Sequence, residues 1–255
     1  FGYIKPDIQA RGVNSPFVQA SGRADALKAY FDRFLFNCDQ WDGFNAERKA
    51  LMAHLKGGNI RNVVALTGDL HCFDAGVVMD DYDAASPQPV MVDLVTAGMS
   101  SESLFTFFAD AVGSVSPDLA TLIYYPLAVP VPGIGTLNLR LNLFDYTMAG
   151  NPPTLDALGE GLRIRLRSAL AASGVAESAL DATTTAVLAG LKADPAFSTQ
   201  LLGLAGQLAG ISANPWIRWA STDIQGYGVV TLTATEMVCQ FRALNRLVGS
   251  TAPAS

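Results

Sequence analysis

The chain has 255 residues, of which 50% are hydrophobic and only 16% are charged. This composition allows a sizeable hydrophobic core and excludes a chain that is mainly disordered. Its 17 basic and 23 acidic residues give a formal net charge of −6. No stretch concentrates Lys or Arg, so the sequence argues against nucleic-acid binding. The 3 cysteines are isolated from one another, which indicates neither a zinc ribbon nor a disulfide framework.

Helices and strands alternate in the first hundred residues. The apolar spacing predicts a helix over 25–36, and a second helix is expected to begin at Asn45 as its N-cap and to end at Gly57 and Gly58. Short apolar runs and two alternating runs near the end of the chain predict strands. These strands are expected at 62–67, 76–79, 89–96, 227–233 and 237–244. The arrangement predicts an α/β fold.

Residues 105–211 differ in character, because they are rich in Ala, Leu and Gly and predict an apolar, mainly helical insertion. The helices of this region are expected at about 102–112, 155–172, 176–192 and 196–209. Two windows, 119–139 and 195–217, lack charged residues and are long enough to cross a bilayer. Their Pro, Gly and amide residues favour a buried or partner-facing subdomain. The alternative is a surface that contacts a membrane or a hydrophobic substrate.

The string Gly68-Asp69-Leu70-His71 directly follows the strand predicted at 62–67. Ligands of α/β sheets bind at the carboxyl ends of strands. A carboxylate oxygen with an imidazole nitrogen suits iron, zinc or manganese, and oxygens alone suit calcium. If the chain stays extended, Asp69 and His71 share one side of it, and Gly68 lets the backbone approach closely. The alternative is that Asp69 caps a turn and His71 is a hydrogen-bonded surface residue.

Several other residues are weaker candidates. His54 is expected to be an ordinary residue of its helix, and Cys72 is either a soft ligand or reactive thiol or a small buried side chain. Ser100, Ser101 and His71 are a further candidate hydrolytic set, but nothing in the sequence positions them together and there is no GxSxG motif. The acidic residues at 80–83 suit either calcium or a solvated loop.

Four separated strings, taken together and in order, resemble motifs of the PhoD-type alkaline phosphatases. Residues 37–48 resemble "DxWDGY…R", and 60–71 resemble "NVVVLTGDxH". Residues 92–101 resemble "EFVTPGITS", and the stretch from Asn214 to Val230 is similar to "NPH…GY". The resemblance covers about 36–104 and 212–245.

This resemblance implies a metallophosphoesterase two-sheet sandwich flanked by helices, present here in part. It implies metal-dependent hydrolysis of phosphate monoesters or diesters with Ca²⁺ and Fe³⁺, usually outside the cytoplasm, in the periplasm or the extracellular space. Carried over by motif, Asp69 and His71 are metal ligands, while Trp41, Asp42 and Gly68 shape the site. No catalytic side chain is assigned, because the nucleophile is expected to be a metal-bound water or oxo group.

The sequence also departs from the family pattern. The earlier ligands of the family lie upstream of the motif at 37–48, and nothing before it in this sequence supplies them. Trp216 stands where the family usually has His, and Cys72 stands where it usually has Ser. A two-metal centre needs about six to eight protein ligands.

We therefore expect 1–104 and 212–255 to form the carboxyl-terminal part of the phosphatase domain, with 105–211 inserted. On its own this part is expected to be inactive. Its expected partners are a phosphate-ester substrate, lipid-like esters included, and the missing amino-terminal segment of the same domain. Membrane-surface contact through 105–211 and self-association are further expectations. The alternative function is a non-catalytic binding or assembly module on the same scaffold.

Overall fold

The computed structural model describes residues 19–20, 22, 24–27, 41, 43–115, 117–211 and 214–245. The helices within them are α1 (Ala24–Leu27), α2 (Asn45–Gly57), α3 (Leu104–Val115), α4 (Pro117–Ala120), α5 (Phe144–Met148), α6 (Leu155–Ala172), α7 (Glu177–Ala193) and α8 (Leu202–Ile211), with a π-helical segment at Ala196–Leu201. The strands are β1 (Val64–Thr67), β2 (Phe73–Met79), β3 (Pro89–Val95), β4 (Tyr124–Val131), β5 (Gly135–Asn142), β6 (Ile217–Ser221), β7 (Gly226–Leu232) and β8 (Met237–Ala243). The fold is mixed α/β, as predicted.

The central sheet has four strands in the order β1-β3-β2-β6. β1 and β3 are parallel, whereas β2 is antiparallel to both β3 and β6. β1, β3 and β6 therefore run in the same direction, and their carboxyl ends lie at one edge, which we call the carboxyl edge. β4–β5 and β7–β8 form two separate two-stranded sheets.

The two faces of the central sheet differ in exposure. Val78 and Met91 are paired in register and buried on one face. The opposite face carries Leu66, Val92 and Trp219, which are 61%, 38% and 37% exposed. We call this second side the exposed sheet face. Exposed apolar residues that adjoin one another across several strands usually mark a surface that another segment covers.

The buried face belongs to the first of two hydrophobic clusters, the sheet core. Its members include Met52, Val78, Met91, Phe105, Phe144, Trp216 and Ile217. The second cluster, the helical core, lies between α6, α7, α8 and the β4–β5 hairpin. Four leucines of α6, each four residues from the next, are buried there: Leu158, Leu162, Leu166 and Leu170. Burying each of these side chains contributes about 1.5–3 kcal/mol relative to exposing it.

The helices predicted between 102 and 211 are confirmed, with their ends shifted by a few residues. The β4–β5 hairpin was not predicted, although it occupies most of the charge-free window 119–139. Pro126 and Pro130 lie in β4, which is possible because each strand of a two-stranded sheet has a free edge. None of the helices in the described ranges is long and apolar enough to span a membrane.

Three differences concern the flanking parts. Phe44, not Asn45, occupies the N-cap position of α2, because the Asn45 side chain accepts a hydrogen bond from Arg48 at 2.6 Å instead of capping the backbone. β6 was not predicted, and only its first residue, Ile217, lies in the charge-free window 195–217. Of the helix predicted at 25–36, residues 28–36 lie outside the described part.

Candidate functional site

The connection from β1 to β2 forms the candidate site. Because β3 lies between these two strands, residues 68–72 must cross the end of β3, over about 10 Å for two strand spacings. Gly68, Asp69 and His71 therefore lie along the carboxyl edge, and all three are exposed. The segments that follow β3 and β6 reach the same edge.

The backbone of this connection has an unusual conformation. Asp69 has φ 72° and His71 has φ 57°, both in the left-handed region that non-glycine residues rarely adopt. Between them the Leu70 N–H donates to the carbonyl of Gly68 at 2.9 Å. The chain is thus sharply bent, so the condition under which Asp69 and His71 share one side of an extended chain is not met. Such a conformation costs of order 1–3 kcal/mol per residue and is found mainly at functional sites.

His71 is held on two sides by the segment that precedes α3. Its Nδ1 lies 2.9 Å from the carbonyl oxygen of Glu102, and its own carbonyl accepts a hydrogen bond from the Leu104 N–H at 3.0 Å. A carbonyl only accepts, so Nδ1 carries the proton and Nε2 is the nitrogen available to a ligand. Histidines that bind metals are commonly oriented by a hydrogen bond of this kind on the other ring nitrogen.

Asp69 and His71 suit a metal ion in their chemistry, although they are too few to hold one by themselves. Among the described residues, no group of three or more His, Cys, Asp or Glu is arranged to hold a metal ion. Trp41, predicted to shape the site, is half-buried in the turn that precedes α2. Asp42, predicted to do the same, lies outside the described residues.

Two carboxylates, Asp145 partly buried and Asp223 buried, hold the segment that follows β6. Asp145 of α5 accepts hydrogen bonds from the backbone N–H of Thr222 at 2.9 Å and from its hydroxyl at 2.6 Å. Burial raises the pKa of Asp145 to about 6, against the lowering effect of these bonds. Asp223, whose side chain is 4% exposed, forms a two-pronged ion pair with Arg165 of α6. Burial also raises the pKa of Asp223, while Arg165 and Ser103 lower it.

A second carboxylate pair lies on the buried face of the sheet, near the same edge. Asp74 and Asp93 are both buried, and Asp93 accepts a hydrogen bond from the Thr67 hydroxyl at 2.7 Å. Burial, and after it the charge of Asp93, raises the pKa of Asp74 to about 7. Asp74 therefore keeps its proton through the acidic range in the folded protein.

The weaker candidates take ordinary positions. Cys72 is buried, and burial raises the pKa of its thiol, which favours a neutral small side chain over a reactive thiolate. His54 is exposed on α2. Asp80 and Asp81 form ion pairs with Lys56 and Lys49 of α2 at 2.6 and 2.8 Å. These pairs favour the solvated loop over a calcium site. Trp216 is buried in the sheet core, 4.5 Å from the ring of Tyr82.

Four residues of the site were not predicted from the sequence: Glu102, Ser103, Arg165 and Asp223. Asp223 had a usable signal, since it follows the polar end of β6 just as Asp69 follows the end of β1. Once β6 is recognised as parallel to β1, both carboxylates are expected at the same edge. Arg165 had no such signal, because its partner Asp223 lies 58 positions away in the sequence.

Comparison with known proteins gives two matches. Residues 11–120 match the family model described as PhoD-like phosphatase. The chain is also 31% identical over 67 residues to Alkaline phosphatase D of Bacillus subtilis (strain 168), a match that covers 26% of this chain and 12% of that protein. No solved structure matches. The resemblance inferred from the motifs is thus confirmed as a PhoD-like segment, while the motif at 214–230 lies outside the matched residues.

Proposed function

We propose that this chain, whose residues 11–120 are a PhoD-like phosphatase segment, contributes part of the active site of a metal-dependent phosphoesterase. Because the match covers only 12% of the curated relative, the activity is proposed for the protein to which this chain belongs. The substrates would be phosphate monoesters or diesters.

One observation carries the proposal: Asp69 and His71 adopt a strained, left-handed backbone at the edge where three strands end. Glycine would adopt this conformation without steric cost, and Asp and His adopt it more readily than most other side chains. The hydrogen bonds of His71 to Glu102 and Leu104 stabilise the bend and fix the imidazole. A strained, braced pair of metal-type donors is typical of a functional site.

Asp69 would offer a carboxylate oxygen and His71 its Nε2 to metal ions, which the family resemblance suggests are Ca²⁺ and Fe³⁺. When bound, such ions neutralise charge on the phosphoryl oxygens and lower the pKa of water. The role of this chain is then positional. The Glu102 carbonyl holds the proton of His71 on Nδ1, and the bent backbone keeps both donors at the carboxyl edge.

The remaining ligands would come from a further segment of the same domain. The exposed sheet face supports this idea, because Leu66 of β1 and Val92 of β3 are exposed there, whereas Trp219 of β6 already stacks on Phe241 of β8. A second sheet packed on that face would complete the two-sheet sandwich. Trp41, Asp42 and Gly68 would then shape the completed site.

The proposal is tested in the full-length protein that contains this chain. We expect hydrolysis of p-nitrophenyl phosphate or its bis-ester, with iron and calcium bound in near-stoichiometric amounts by elemental mass spectrometry. His71→Ala and Asp69→Asn should each lower kcat/KM by at least about a hundredfold and reduce the metal content, because a metal donor is lost. The matched control is His54→Ala, since His54 is the other of the chain's 2 histidines and is exposed on α2. Equal activity of His71→Ala and His54→Ala would refute the assignment.

A bulky, apolar phosphate ester is the substrate we favour within this class. Met99, in the segment after β3, and Phe107, in the first turn of α3, are both exposed. α3 begins at Leu104, the residue bonded to His71, so these apolar side chains belong to segments that meet at the site. Phospholipid should then be hydrolysed faster than p-nitrophenyl phosphate. Equal or faster turnover of the small ester would remove this preference.

The second candidate function is a non-catalytic binding or assembly module. It is favoured by Trp216, which lies in the sheet core, whereas the corresponding family motif has His. A full-length wild-type protein that binds neither iron nor calcium and hydrolyses neither ester would support the module. The expected location outside the cytoplasm belongs to the phosphoesterase proposal, and fractionation of expressing cells tests it.

A further inference from the structure

We infer that Arg165 of α6 is a positioning residue for His71. Through Arg165, α6 fixes the orientation of the His71 side chain at the candidate site. The inference rests on the proposed function only for its consequence in catalysis. Its structural basis is a set of hydrogen bonds that leads from Arg165 to Ser103, which lies in the chain between the two residues that hold His71.

The first link is the ion pair between Arg165 and Asp223. Arg165 Nε donates to Oδ2 of Asp223, and Nη2 donates to Oδ1 at 2.5 Å. Parallel bonds of this kind fix orientation as well as distance. A buried carboxylate needs such a partner, because an isolated buried charge is strongly unfavourable. The pair thus fixes the segment after β6 to α6.

The second link joins this pair to the start of α3. Ser103 Oγ donates to Oδ1 of Asp223 at 3.1 Å, and Arg165 Nη2 also donates to the hydroxyl of Thr106 at 2.5 Å. The guanidinium carbon lies 4.8 Å from the centre of the Phe105 ring, a cation–π contact. Arg165 therefore contacts the first turn of α3 directly, and reaches Ser103 through Asp223.

The third link reaches His71. Ser103 lies between Glu102, whose carbonyl accepts from His71 Nδ1, and Leu104, whose N–H donates to the His71 carbonyl. Fixing Ser103 and the first turn of α3 fixes both of these groups. Arg165 does not contact His71, and its effect on the imidazole is transmitted through residues 102–104.

The test measures the protonated ring nitrogen of His71 in the full 255-residue chain, by long-range ¹H–¹⁵N NMR at pH 8.5. The chain has 2 histidines, and His54→Gln identifies the signals of His71. In the wild type we expect the Nδ1–H form to predominate, because Glu102 accepts that proton. A wild-type His71 that is mainly Nε2–H would overturn the inference. In Arg165→Met we expect the Nδ1–H form of His71 to lose its predominance. We also expect hydrogen exchange at the Leu104 amide to become about tenfold faster.

Two further variants make the result decisive. Arg163→Met is the matched control, because Arg163 lies on the same helix and pairs with exposed Glu160. Arg163→Met should leave both the tautomer of His71 and the exchange rate of the Leu104 amide unchanged. Arg165→Met alone leaves Asp223 buried without its cation, so the double variant with Asp223→Asn restores neutrality and guards against misfolding. A folded double variant with the wild-type tautomer and Leu104 exchange would overturn the inference.

The catalytic consequence is measured separately. In the full-length protein, Arg165→Met should lower kcat with little change in KM, and Arg163→Met should match the wild type. If the wild-type full-length protein hydrolyses no phosphate ester, the proposed function fails while the tautomer result still decides the role of Arg165.

Discussion

Asp74 is the residue whose protonation most affects the sheet beneath the candidate site. It is buried on the core side of β2, close to Asp93, and its pKa is raised to about 7. The unfolded carboxyl ionises near pH 4, at about the ordinary value. Between these two values the folded state binds more protons than the unfolded state. Stability therefore falls as the pH rises from about 4 to 7, and this loss is complete above pH 7.

Replacing Asp74 with Asn removes this loss. We expect the Asp74→Asn variant to gain about 2–3 kcal/mol more stability at pH 8 than at pH 5, measured by urea unfolding at the two pH values. The pKa of Asp145 is raised as well. Because Asp145 is present in both proteins, its effect on the pH dependence of stability cancels in the comparison. Asp83→Asn, at an exposed loop position, is the control. A gain in stability that is equal at pH 5 and pH 8 would contradict the raised pKa of Asp74.

At the scale of single elements, the pairing of β2 with β6 decides whether Thr222 and Asp223 reach the carboxyl edge. The register of the two strands shifts between Ala75 and Gly76. A Cβ atom on Gly76 would lie 2.6 Å from the backbone oxygen of Trp216, so only glycine allows β6 to approach this closely. β6 carries the segment with Thr222 and Asp223, and the absence of a side chain at Gly76 thus contributes to the geometry of the site.

Gly76→Ala should push β6 away from β2 and lower the free energy of unfolding by about 1–3 kcal/mol, as overpacking does. The matched control is Gly161→Ala in α6, where a Cβ atom meets nothing within 4 Å. There, alanine should stabilise the helix by about 0.5–1 kcal/mol. Thermal unfolding of both variants distinguishes the effects, and a Gly76→Ala protein as stable as the wild type would refute this account of β2.

At the scale of the whole molecule, the sheet core and the helical core are joined through α5. Phe144 belongs to the sheet core and Tyr146 to the helical core, although both lie on this one short helix. The ion pair between Arg165 and Asp223 is a second connection. These shared contacts predict that the two cores unfold together, even though they are built from different parts of the chain.

Leu166→Ala in the helical core and Met52→Ala in the sheet core should each cost about 2–5 kcal/mol, because each side chain is fully buried. Two spectroscopic probes follow different parts of the chain. Trp216 and Trp219 lie in the sheet region and Trp41 in the turn before α2, while far-UV circular dichroism follows all the helices, of which α6, α7 and α8 line the helical core. We expect coincident urea transitions for both probes in both variants. A Leu166→Ala protein that loses helical signal before tryptophan fluorescence changes would show independent unfolding.

The sequence alone predicted what depends on neighbouring residues. The period of apolar side chains predicted α6, α7, β7 and β8, because local burial patterns repeat every 3.6 or 2 residues, and short apolar runs predicted β1 and β3. The motif around Gly68, Asp69 and His71 was recognisable because its residues are contiguous. The four strings led to a family whose model matches residues 11–120. The β4–β5 hairpin was missed, because its three prolines at 126, 130 and 132 conceal the alternation of a strand.

Only the tertiary structure decided which distant residues meet at the carboxyl edge. The sequence left open whether the chain is extended or turns at Asp69 and His71, whereas the structure shows a bend that crosses the end of β3, a constraint set by the strand order. Asp223 and Arg165 meet across 58 positions, and no local pattern encodes such a contact. Strand order, the direction of β6 and the packing of α6 depend on the free energy of the whole core. Residues that orient the site through these contacts therefore become visible only in the folded chain.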